Sequence, residues 1–348
     1  MITLNQSYTY EELLRNLQES VAQYPDFTVY KEVGESHDER SIPMLRVGLG
    51  LDALILTAGI HGKESINPVL LTRMAQEYSQ AYQDNLNMGN YPVRELLDHC
   101  SICFLPIVNP DGYVIATESF NAIRNPILRQ ACKMRGVDWP YWKYNARTVD
   151  INRNFPCKSY IQQQFGEYPA SEQETKALIR VFEQCDTIGY LDFHSRGRII
   201  YYYRQAMPFS YNQRNHKLAR YMQKLSNYSL GKQEEEYLSR LNGGSPVNYY
   251  SELLHRPAIT VETVEENADF PLNPSCQERT YEEIRMLPLE IIAQSVGNSE
   301  PCWFTRQCKP EKRGSFLVGH GLCFRHNAFK DCAPDDKAVA ARSAFLFG

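Results

Sequence analysis

Apolar positions along this chain switch repeatedly between a helical spacing and short continuous runs. Leu13, Leu14, Leu17 and Val21 share one face of a helix that opens with the capping pattern Thr9-Tyr10-Glu11-Glu12 and stops at Pro25. Strand-like runs follow at 29–33 and 44–49, then Leu54-Ile55-Leu56-Thr57-Ala58, which breaks at Gly59. Asn67-Pro68 predicts the start of the next helix, with Asn67 as its cap. An apolar run at 102–108 leads into Asn109-Pro110-Asp111-Gly112, a turn signal. Residues 113–148, rich in Arg, Trp and Tyr, predict a long irregular loop of the kind that often carries function. Beyond it, Ser171-Glu172-Gln173-Glu174 caps a helix, and runs at 188–193, 199–203 and 258–262 predict strands. Helical spacing occupies 211–228 and 281–294. Strands alternating with helices predict an α/β fold: a three-layer sandwich whose mixed, largely parallel sheet is flanked by helices.

The 348 residues suffice for one large domain or two smaller ones, and 43% hydrophobic with 22% charged residues is ordinary for a globular protein. A net charge of −4 offers no basic footprint for nucleic acid, and no run approaches the roughly 20 apolar residues of a membrane span. The first residues, Met1-Ile2-Thr3-Leu4-Asn5-Gln6, lack the basic and apolar regions of a signal peptide, and the cysteines before residue 300 are scattered, with a single C-x-x-C spacing at Cys100–Cys103 inside an apolar run. Both features predict a cytoplasmic protein with buried thiols.

The chemistry gathers at the ends of strands. His61-Gly62-Lys63-Glu64 follows the third run, where an open α/β sheet gathers ligands. His194 ends another strand and Glu262 a third. Taken singly, each has an ordinary reading: a hydrogen-bonded core histidine, a chance H-x-x-E, a strand-end carboxylate. Together, His61, Glu64 and His194 make a His₂Glu set, which leaves zinc's fourth position open as catalytic sites do. The stretch Tyr144-Asn145-Ala146-Arg147-Thr148-Val149-Asp150-Ile151-Asn152-Arg153-Asn154-Phe155-Pro156 adds polar groups around only two short apolar anchors. Read as extended chain, it puts Asp150, Asn152 and Asn154 on one side and Val149, Ile151 and Arg153 on the other. Adjacent Asn and Arg suit a carboxylate, which guanidinium binds through two parallel hydrogen bonds.

These segments, with residues 106–112, Gly243-Gly244-Ser245 and 257–262, resemble the M14-type zinc carboxypeptidases, in particular the bacterial branch of γ-D-glutamyl-meso-diaminopimelate peptidases. The motifs stand in family order over roughly residues 8–296. The resemblance implies a zinc carboxypeptidase-like catalytic domain over 1–296 with one zinc ion on His61, Glu64 and His194. Glu262 would act as general base toward a zinc-activated water and then as acid toward the leaving amine. Asn152 and Arg153 would hold the terminal carboxylate of a small peptide substrate. Arg147 would stabilise the oxyanion, with Arg124 as its rival, and Asp150 would accept from the far nitrogen of His61.

The resemblance has gaps. The family's mobile tyrosine, about four residues before the glycine pair, falls on Ser239, with Tyr237 two residues earlier. The usual Asp-Trp after the glycines is replaced by Pro246-Val247-Asn248-Tyr249-Tyr250. Extra cations, Arg196, Arg198, Arg124, Arg129 and Arg135, suit a substrate with a second carboxylate, and Arg196 is the best placed. The expected reaction is therefore hydrolysis of the amide joining γ-D-Glu to a C-terminal diaminopimelate. An ordinary carboxypeptidase and an aspartoacylase-type N-acyl amino acid amidohydrolase are the alternatives. The tail 297–348, with Cys302, Cys308, Cys323, Cys332, His320 and His326, lies outside the resemblance and matches no standard zinc-finger spacing.

Overall fold

In a computed structural model, which describes residues 1–237 and 243–297, eight strands form one mixed sheet. They are β1 (Thr28–Glu35), β2 (Ser41–Val47), β3 (Asp52–Thr57), β4 (Cys100–Leu105), β5 (Thr187–Ser195), β6 (Ile199–Tyr201), β7 (Ser229–Leu230) and β8 (Ala258–Thr263). Their order is β1-β2-β4-β3-β5-β8-β6-β7. The central β4-β3-β5-β8 are parallel, while β1, β2 and β6 join by antiparallel pairing.

Alternation along the central strands explains the layers. Leu54, Leu56, Ile102, Phe104, Leu191, Phe193, Ile259 and Val261 face one way, toward the helices Ile66–Gln83, Phe209–Ser226 and Leu287–Gly297. Their neighbours Ala53, Ile55, Cys103, Leu105, Tyr190 and Ala258 face the other, toward Gln173–Gln184 and Pro246–Leu254. Strands buried on both sides read as continuous apolar runs because neither face meets water. The expected α/β sandwich is therefore the observed one.

Four local expectations change. Asn109 is a helix cap rather than part of a plain turn: its side chain accepts from Gly112 N at 2.9 Å, and Pro110 opens the helix Pro110–Glu118. The supposed loop 113–148 carries a second helix, Pro126–Met134, again capped by an Asn-Pro pair. Tyr113, Ile123, Cys132 and Trp142 pin this segment into a core cluster shared with Ile2, Tyr10, Leu13 and Val69. The helix after β3 starts at Ile66 with Ser65 as its cap, so Asn67 lies inside the first turn, fully buried. Finally, the single helix expected at 281–294 is two, Gln277–Ile284 and Leu287–Gly297. Among the described residues no helix is long and apolar enough to cross a membrane. Ser239 and the cysteine-bearing tail from 298 lie outside the described residues.

Candidate active site

Three loops close over the carboxyl ends of β3, β5 and β8. The loop after β3 is tied down by its neighbours: Asn109 Nδ2 donates to the Ile60 and Tyr144 carbonyls, and Lys63 N donates to the Trp142 carbonyl at 2.7 Å. Gly62 is required here by close approach, because a Cβ would stand 2.0 Å from the Gly112 carbonyl oxygen. Val149 and Ile151 are buried as anchors, each worth roughly 1.5–3 kcal/mol. The chain between them does not stay extended, however. Asp150 accepts from Asn152 N and caps a 3-10 turn over Ile151–Arg153, so the alternation expected there fails. Asn154 turns inward to Ser171 and the Tyr168 carbonyl, and Asn145 donates to Glu172 and Glu174. Both asparagines position loops and neither faces a cleft.

His61, Glu64 and His194 each offer one ligand atom, and these atoms lie within 4.8 Å of one another. Glu64 bridges the two rings, 2.7 Å from His61 Nδ1 and 3.0 Å from His194 Nδ1. The far nitrogens are both held by carboxylates: His61 Nε2 lies 3.2 Å from Asp150, and His194 Nε2 lies 2.9 Å from Asp192. Such outer carboxylates fix the ring and leave Nδ1 free to ligate. Burial opposes charge on these groups, yet the neighbouring carboxylates hold both histidines above their ordinary value. Against that same burial, His61 and His194 pull the Glu64 carboxyl down to about 2. Two imidazoles and one carboxylate with ordered outer partners form a donor set that fits zinc.

Glu262 stands opposite His194 in the parallel register of β8 and β5. Burial pushes its carboxyl up to about 7, against the pull of His194. Arg153 Nη1 donates to the Asn152 carbonyl at 2.6 Å, and the Asn152 side chain has no hydrogen-bond partner among the described residues. The glycine pair closes on this turn: Phe155 N donates to the Gly244 carbonyl at 2.9 Å. Gly244 has φ +71°, and a Cβ there would meet the Arg153 carbonyl oxygen at 2.5 Å.

A profile of the zinc carboxypeptidase family matches residues 13–285. The chain belongs to that family. Among relatives, a γ-D-glutamyl-L-diamino acid endopeptidase of Lysinibacillus sphaericus is 23% identical over 220 residues, 58% of this chain and 54% of that protein. Carboxypeptidase B of Rattus norvegicus is 27% identical over 205 residues, 56% of this chain and 46% of that one. The chain thus spans about half the length of the relatives it matches. The crystal structure of thrombin activatable fibrinolysis inhibitor shares the fold, with TM-score 0.68 at 19% identity over 84% of this chain and 75% of that one. Carboxypeptidase A from Helicoverpa armigera does so with TM-score 0.66 at 20% identity, covering 86% and 76%.

Not every expected cation joins the cluster. Arg147 pairs with Glu172 at 3.4 Å, and Arg124 donates to the Asp38 and Glu39 carbonyls. Lys143 instead lies beside His61: its Nζ is 2.7 Å from Asp150 Oδ2, on the carboxylate that also holds that ring. Lys143 sits seven residues before Asp150, and nothing in its own stretch distinguishes it from a surface lysine. Asp192 was more legible, since a residue two before His194 on a strand shares its face. Arg196 is exposed, donates to the Ala268 carbonyl and stacks on Phe270, 5.5 Å from the ring centroid; Lys63 approaches the same ring. Arg198 is taken up by Glu265 and Glu283, Arg129 by the Ile123 and Arg124 carbonyls, and Arg135 by Gln164 and the Tyr144 ring. Tyr237 is half-exposed, its ring 6.2 Å from Tyr203.

Proposed function

We propose that this protein is a zinc metallopeptidase that hydrolyses the amide before a C-terminal residue, inside the cell. Its proposed substrates are peptidoglycan-derived peptides in which γ-D-Glu precedes diaminopimelate. The observation that carries the reading is the convergence of His61, Glu64 and His194 with Glu262 opposite and the Asn152–Arg153 turn alongside. Zinc held by the three ligands would supply Lewis acidity, lowering the pKa of water to about 7 and polarising the scissile carbonyl. Glu262 takes the proton from the attacking water and passes it to the leaving amine. Its raised affinity for a proton, from burial, suits both halves of that exchange. Arg153 and Asn152 bind the terminal carboxylate and so set the scissile amide one residue away. Lys143 replaces Arg147 and Arg124 in our assignment of the cation that meets charge developing on the carbonyl oxygen. Asp150 and Asp192 hold the histidine rings.

The diaminopimelate substrate is supported by the activity named for the Lysinibacillus sphaericus relative. Zinc content, measured alongside rates on three compounds, tests the proposal: a γ-D-Glu-diaminopimelate peptide, a peptide with a neutral C-terminal residue and an N-acyl amino acid. Zinc-dependent cleavage that favours the first is expected. Equal rates on both peptides would leave an ordinary carboxypeptidase, and turnover of the N-acyl amino acid alone would replace peptidase by amidohydrolase.

A further inference from the structure

A buried ion pair occupies the floor of the sheet beside Glu262, where no structural duty uses all of its donors. Thr260 and Glu262 lie two apart on β8 and therefore share a face. In the register Glu262 lies opposite His194 and Ile199, and Thr260 lies opposite Asp192 and Tyr201. Arg204, just beyond β6, reaches Thr260 Oγ1 with Nη2 and pairs through Nη1 with Glu236. The two side chains are only 5% and 7% exposed. Glu236 is satisfied on its other oxygen, which accepts from Tyr202 N and Tyr203 N at 3.1 and 2.8 Å. Arg204 is not satisfied. Its Nη2 makes two long contacts of 3.4 Å, to Thr260 Oγ1 and the Tyr201 carbonyl, and its Nε is buried without an acceptor among the described residues. Nε and Nη2 form the edge of a guanidinium that grips a carboxylate through two parallel hydrogen bonds.

We propose that Arg204 and Glu236 read the far end of the substrate's terminal side chain, with the Nε/Nη2 edge of Arg204 taking a carboxylate and Glu236 the ammonium on the same carbon. The proposal rests on the peptidase reading above. With the α-carboxylate on Arg153 and the scissile amide at Glu262, the terminal side chain is left the floor between them, where Thr260 is partly exposed. A neutral pair of opposite charges complements a zwitterionic end. A plain ammonium or a plain carboxylate would leave one member opposed to nothing, and an apolar side chain would desolvate both. The ligand class is thus a terminal residue whose side chain ends as an α-amino acid, as in diaminopimelate. Arg204, held in place by packing, takes the role expected of the rim residue Arg196.

The test uses the full chain loaded with zinc and the double variant Arg204→Met/Glu236→Gln. This variant strands no buried charge and keeps an acceptor for the two tyrosine N–H groups. One readout is the ratio of kcat/KM for peptides ending in diaminopimelate and in leucine. A second is the ratio of Kd for free diaminopimelate and free leucine, which needs no turnover. Both ratios should favour diaminopimelate in the parent and fall by roughly 10- to 150-fold in the variant, the loss of a charge-assisted contact. A parent that cleaves both peptides equally, or a variant in which both ratios are kept, overturns the proposal. A parent that binds diaminopimelate through Arg204 yet cleaves neither peptide supports it and sinks the peptidase reading instead. A melting scan of the variant shows whether the fold survives. If it does not, Arg204→Lys, which keeps the charge and removes the two-point edge, must lower the binding ratio.

Discussion

Glu262 and Lys143 divide the work at the scale of single residues, and each can be tested separately from the metal. Glu262→Gln keeps the shape and a hydrogen-bonding end but cannot take a proton. It should bind zinc like the parent while kcat falls by about 10²–10⁴-fold. The acid limb of the parent's pH–rate profile belongs to this carboxylate: protonated, it is no base, so activity rises with pH as Glu262 ionises. Burial sets that group near 7, and a bound cation draws it lower. The limb should vanish in the variant; an unchanged limb would assign it to another group. Lys143→Met should cost roughly 10²–10³-fold in kcat, with recovery in Lys143→Arg, while Arg147→Ala stays near parental because Arg147 serves Glu172. The reverse ranking would restore Arg147 to the oxyanion role.

The elements that carry these residues were legible where local pattern decides and obscure where distant partners do. Central strands announced themselves because both faces are buried, and the Thr9 capping box formed as its spacing predicts. The 3-10 turn at Ile151–Arg153 was missed because Asp150 serves as its cap, a choice the alternating pattern hides. Arg204 and Glu236 were missed for another reason: their partnership spans 32 residues and has no periodic signature. Asn67 is the clearest case. It looked like a helix cap, but it is buried and donates to Ser195 Oγ at 3.1 Å while accepting from Thr263 Oγ1 at 2.7 Å. It therefore ties the helix after β3 to the ends of β5 and β8, next to His194 and Glu262. Asn67→Ala should cost about 1–3 kcal/mol, because two buried hydroxyls lose a partner. Denaturant melts give the number. A loss below about 0.5 kcal/mol, with zinc affinity unchanged, would mean that water replaces the amide and the three elements register without it.

For the whole molecule, zinc binding and stability must be linked through protons. In the metal-free protein His61 and His194 are held above their ordinary value by Glu64, Asp150 and Asp192. Groups of that kind stabilise the metal-free fold below about pH 6.5, and this contribution is lost as pH rises through their folded values. Zinc demands the opposite state, since it binds unprotonated imidazole. Its own stabilisation should therefore be small in acid and grow as pH rises above about 6.5. At a hundredfold excess over Kd it amounts to about 2.7 kcal/mol. The gap in Tm between zinc-loaded and chelated protein should accordingly widen from pH 5.5 to pH 8, and His194→Ala should abolish the gap at every pH. The same measurement addresses the tail. If its cysteines and histidines ligate nothing, the full chain and a chain ending at Gly297 will bind one zinc each and show the same widening. Were the full chain to hold a second zinc that the shorter one lacks, the tail would be a metal-binding unit in its own right. A gap that narrows toward alkaline pH would remove His61 and His194 as ligands altogether.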